Sequence, residues 1–120
     1  MKHILLVSTL LAALTSGQSA QAHAFLDHAV PAVGSTVAVA PTQVQLFFTQ
    51  HLEPSFSGAT IADANGQPVA TGSAVFNPQA PDEMVLNLPK LPPGHYKVSW
   101  HALSVDTHRT EGSFGFDIQP

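Results

Sequence analysis

The chain has 120 residues, no cysteine, a formal charge of −4, and seven histidines beside four lysines and arginines. An acidic balance of this kind argues against a nucleic-acid partner. Without thiols there are no disulfides and none of the soft thiolate ligands that favour Cu(I), zinc or iron–sulfur clusters, so any metal site must be built from nitrogen and oxygen.

Residues 1–22 read as an export signal. Lys2 and His3 give a positive start, residues 4–14 form an uncharged apolar run, and a small, polar tail ends in the A-x-A pattern Ala20-Gln21-Ala22. The apolar run is too short to span a bilayer, and no later stretch approaches the roughly 20 residues a membrane helix needs. The product is therefore expected not to be membrane-spanning itself. Cleavage after Ala22 leaves 98 of the 120 residues, 23–120, which suits one domain. It also removes Lys2, moving the formal charge from −4 to −5. Above all, it makes His23 the first residue.

From residue 24 onward the pattern is strand-like. Residues 23–28 are expected to form a first strand with Leu26 facing inward, followed by a turn at 31–35. Over 43–50, Val44, Leu46 and Phe48 alternate with Gln45, Phe47 and Thr49, so the first set faces a core and Phe47 is an exception on the other face. Residues 58–62 form another strand, closed by the Asn65-Gly66 turn. Short strands are expected at 73–76 and 84–88, separated by a Pro-rich loop at 77–82. In the clearest strand Tyr96, Val98, Trp100 and Ala102 fall on one face, with His95, Lys97, Ser99 and His101 on the other. The last strand turns Phe114, Phe116 and Ile118 inward. Turns every 8 to 12 residues imply a β-sandwich or barrel. The ten prolines and eight glycines spread along the chain disfavour helix.

Six histidines remain after cleavage: His23, His28, His51, His95, His101 and His108. His95 and His101 lie on a wet strand face and read as ordinary surface side chains. His28 and His51 are ambiguous. His23 differs, because a first residue presents both its free α-amine and its imidazole Nδ1 and can close a chelate ring on one metal ion. His108 differs too, because Asp106 lies two residues before it, and in extended backbone the side chains of residues i and i+2 point the same way.

The segments His23-Ala24-Phe25-Leu26-Asp27-His28 with Pro31 to Ser35, the run Val44 to Phe48, Leu91-Pro92-Pro93-Gly94-His95-Tyr96, and Ser104-Val105-Asp106-Thr107-His108 together resemble the CopC family of periplasmic copper-binding proteins. The likeness spans 23–120. It implies a single all-β domain, a Greek-key sandwich of immunoglobulin-like or cupredoxin-like shape. It further implies one Cu(II) per chain held in a histidine brace, with the family's ligands falling on His23, Asp106 and His108. Some members add a glutamate after the second strand; a gapless register puts Gln50 there, with Glu53 three residues later. The Met-rich Cu(I) site of other members is lacking, since Met84 is the one methionine left after cleavage.

The donor chemistry agrees. Two imidazoles and an amine make three nitrogen donors, tetragonal N/O sites suit Cu(II), and Cu(II) heads the Irving–Williams order. Zinc accepts the same donors with lower affinity and a tetrahedral preference. Asp106 can serve as an axial ligand or can orient an imidazole. Because metal must displace protons from the donors, affinity should fall with acidification. The expected function is a monomeric, non-enzymatic periplasmic carrier or sequestering protein in copper resistance or homeostasis. By resemblance its partner is a separate inner-membrane protein of the CopD type. Two other readings stand beside it: a copper-dependent oxygenase using the same brace, and a metal-free interaction module.

Overall fold

The structure, a computed structural model, describes residues 24–120. The expected signal segment 1–22 and His23 lie outside the described residues.

Eight strands form: β1 (Leu26–Val30), β2 (Thr36–Val37), β3 (Gln43–Phe48), β4 (Gly58–Ala62), β5 (Val75–Asn77), β6 (Ala80–Asn87), β7 (Gly94–Leu103) and β8 (Arg109–Ile118). Among the described residues the single helical element is a 3₁₀ turn at Pro54–Phe56. No helix among these residues is long and apolar enough to cross a membrane. The strands make two four-stranded sheets, ordered β1-β3-β6-β5 and β2-β8-β7-β4. Successive elements repeatedly change sheet, as a Greek-key sandwich requires, and the expected all-β fold is present.

The core lies between the sheets and follows the period-two pattern. Val44, Leu46 and Phe48 from β3 and Met84 and Leu86 from β6 meet Tyr96, Val98, Trp100, Phe114, Phe116 and Ile118 from β7 and β8. Phe48 approaches the Trp100 indole edge-on, with centroids 5.1 Å apart and planes at 75°. Trp100 in turn presses on Gly112, its direct partner across β7 and β8.

Several local expectations shift. The first strand begins at Leu26, and its pairing with β3 is irregular between Leu26 and His28. Ala29 is the fully covered residue of this strand and Leu26 is partly buried. Phe47 is covered by a side chain of β1: the His28 ring stacks on it at 4.3 Å, with planes 6° apart. Residues 77–82 do not form a long loop. Asn77 pairs with Ala80 across a tight turn, the Asn77 side chain accepts the Gln79 amide at 2.9 Å, and β6 runs through Pro81. The short β2, absent from the sequence reading, pairs in parallel with the end of β8.

Candidate metal centre

Residues 104–108 connect β7 to β8 and carry two of the three expected ligands. The connection is a tight loop. The Ser104 amide donates to the His108 carbonyl at 3.0 Å, and the Thr107 amide donates to the Ser104 carbonyl at 2.8 Å. Thr107 sits at φ 74°, a left-handed conformation that a β-branched residue adopts only at a cost. Asp106 and His108 therefore do converge, but around a turn rather than along extended backbone.

The His108 Nδ1 lies 3.4 Å from Asp106 Oδ1, and both side chains are about half exposed. Behind them sits Ser104, the one fully buried polar residue among those described. Its hydroxyl bonds Asp106 Oδ1 and lies 3.3 Å from the His108 carbonyl and 3.4 Å from the His108 amide. Foremost through the Ser104 hydroxyl, then through His108, the Asp106 carboxyl is held below the usual carboxylate range. It is an anion at neutral pH, facing an imidazole.

Two neighbouring segments brace the loop. Val105 donates its amide to the His51 carbonyl at 3.1 Å, and Glu53 donates its own to Leu103 at 2.8 Å. On the other side, the Thr110 hydroxyl donates to the Ala24 carbonyl at 2.5 Å. Ala24 is fully buried. The first described residue is thus tied to a strand position two residues beyond His108.

The other titratable candidates are dispersed. His28 contacts Asp27 at 2.8 Å, and His95 contacts Asp117 at 2.6 Å on the outer face of the second sheet. His101 lies against Gly58. No three His, Asp or Glu side chains gather into a metal-holding group among the described residues, so His28, His51 and Glu53 do not join Asp106 and His108.

The CopC domain family model matches residues 26–119. This chain belongs to the CopC family. Protein YobA of Escherichia coli (strain K12) is 37% identical over 102 residues, which are 84% of this chain and 82% of that one. Copper resistance protein C of Pseudomonas syringae pv. tomato is 38% identical over 106 residues, 83% of each chain. The crystal structure of CopC from Methylosinus trichosporium OB3b matches with a TM-score of 0.78 at 36% identity, over 82% of this chain and 95% of that one.

Within this CopC domain, Ser104 and Thr110 are the residues contacting the candidate site that sequence reasoning did not single out. Ser104 left a faint signal, as the first member of Ser-x-Asp-x-His. Thr110 left less, because its partner Ala24 is 86 residues away.

Proposed function

We propose that this CopC-family chain is exported to the periplasm, cleaved after Ala22, and there carries or sequesters Cu(II) as a monomer, one ion per chain. Its α-amine and imidazole at His23 and the imidazole of His108 are the nitrogen donors. The reading draws support from relatives whose names state copper resistance. The observation that carries it is the Thr110 hydrogen bond to Ala24. His23 immediately precedes Ala24 in the chain, and the anchor Thr110 lies two residues from His108.

The donor set fits the ion. Amine and imidazole nitrogens with a nearby carboxylate suit tetragonal Cu(II), and no thiolate is present to favour Cu(I). Of the two roles open to Asp106, its position supports that of an orienting group: its oxygen lies 3.4 Å from His108 Nδ1, and a proton held there would leave Nε2 as the nitrogen available to a metal. Copper is cargo in this scheme rather than a catalyst. Tyr96 and Trp100 are both buried, so neither offers a platform for a sugar substrate. Delivery to a separate inner-membrane protein of the CopD type completes the proposal.

The test is a Cu(II) titration of protein beginning at His23 beside protein with one additional residue before it, read by EPR and by Trp100 fluorescence. Tight one-to-one binding by the first, and binding weaker by about tenfold or more in the second, is expected because an amide nitrogen replaces the amine. Equal binding by both would move the site to internal histidines, and binding by neither would overturn the copper assignment.

A further inference from the structure

The start of the domain is gripped from both sheets. Thr110 belongs to β8, where it falls on the inward-facing set with Gly112, Phe114, Phe116 and Ile118. A hydroxyl on that face, at the end of the sandwich, requires a partner, and it finds the Ala24 carbonyl. From the other sheet, Thr49, which follows β3, binds Phe25 twice. Its hydroxyl accepts the Phe25 amide at 3.0 Å, and its own amide donates to the Phe25 carbonyl at 2.9 Å. Ala24 between them is fully buried.

We infer that Thr110 and Thr49 act as a clamp that positions the N-terminal donor before any metal arrives. They are positioning residues: neither side chain is offered as a ligand. The inference rests on the copper reading above, and adds that the site is preorganised on the N-terminal side by two hydroxyls contributed from opposite sheets.

The physical need for such a clamp is specific to an N-terminal chelate. His108 is fixed by a tight loop between two long paired strands, whereas a chain terminus has backbone on one side only. Left untied, residues 24 and 25 would have to be ordered at the moment of binding, and that conformational entropy would be subtracted from affinity. The side-chain bond from Thr110 is also the link that couples arm to loop, since Thr110 lies on the strand that His108 leads into. Its partner across the ladder is the fully buried Ala102, so the anchor point itself is rigid.

The test uses protein beginning at His23 with Thr110→Val, which keeps shape and removes the hydroxyl, Thr110→Ser, which restores it, and Thr49→Val. Three quantities are read: Cu(II) affinity, the Cu(II) EPR spectrum, and exchange of the Phe25 amide in metal-free protein. Thr110→Val should weaken Cu(II) binding by roughly tenfold and shift or broaden the EPR signal, while Thr110→Ser binds as the wild type does. Thr49→Val should speed exchange of the Phe25 amide. Wild-type affinity and spectrum in Thr110→Val would overturn the clamp, as would equal weakening in Thr110→Ser. Should Thr110→Val fail to fold, Thr49→Val decides, because Thr49 is at the exposed edge; wild-type copper binding with unchanged Phe25 exchange in that variant overturns the idea. If the wild type itself takes no Cu(II), the copper reading fails, and Phe25 exchange alone then judges the clamp.

Discussion

Ser104 is the residue on which the β7–β8 connection turns. Its buried hydroxyl touches the Asp106 carboxylate and both backbone groups of His108, so it sets the carboxylate's charge and the imidazole's position together. Asp106 has a depressed folded-state value, so its contribution is present above the ordinary carboxylate range and is lost only as pH falls through that lower value. The loop should hold unchanged from neutral to mildly acidic solution. Ser104→Ala removes the foremost cause of the depression. The Asp106 carboxyl should then titrate closer to an ordinary aspartate in a carbon-detected NMR titration, and denaturant unfolding should show a loss of about 1–2 kcal/mol. An unchanged Asp106 midpoint would deny Ser104 this role. The two-residue spacing singled out Asp106 and His108 on the premise of extended backbone, and it is the turn through Thr107 that brings them together. Ser104's part was not legible in the sequence, because a serine two residues earlier has no distinguishing mark until its burial is known.

At the scale of elements, the long β7–β8 ladder carries both the core and the site. It pairs Gly94 through Leu103 with Ile118 through Arg109 without a break, so the loop at its end inherits a fixed register. Gly112 is where this ladder meets the core most tightly. A methyl group there would lie 2.7 Å from Cζ2 and 3.0 Å from Cε2 of Trp100, and a buried indole has nowhere to move. Gly112→Ala should cost about 1–3 kcal/mol through overpacking, visible as a lower urea midpoint and an altered Trp100 near-ultraviolet signal. Full stability in that variant would show that the indole can slide. The alternation that defines β3, β7 and β8 was plain in the sequence, since each has one face in the core. What escaped was the irregular start of β1, the pairing of β2, and the tight turn at Asn77–Ala80, a range whose prolines suggested a loop. None of these has a long alternating pattern; the first two depend on strands distant in sequence, and the third is a local hairpin between β5 and β6.

For the molecule as a whole, the proposed site joins the two ends of the domain: the arm at Ala24 and the strand β8. Metal binding should therefore stabilise the entire fold rather than one loop. With Cu(II) at about a hundred times its dissociation constant, linkage gives roughly 2.7 kcal/mol. For a domain of this size that raises Tm by about 10–20 °C. Calorimetry should show that rise for protein beginning at His23, its reversal by a chelator, and a much smaller rise when an extra residue precedes His23. A Tm indifferent to copper would separate the ion from the fold.

The sequence by itself determined the all-β class, the inward and outward faces of the principal strands, the family likeness and the pair Asp106 and His108. The strand faces are written in local periodicity, which the backbone geometry of a strand translates directly into position, whereas Asp106 and His108, two residues apart, are brought together by the turn at 104–108. Tertiary structure alone decided that Ser104 is buried under the loop, that His28 covers Phe47, and that Ala24 is tied to Thr110. Those contacts join residues whose proximity comes from sheet packing and strand order, and a hydroxyl or a ring has no partner to name until the two sheets have closed on one another.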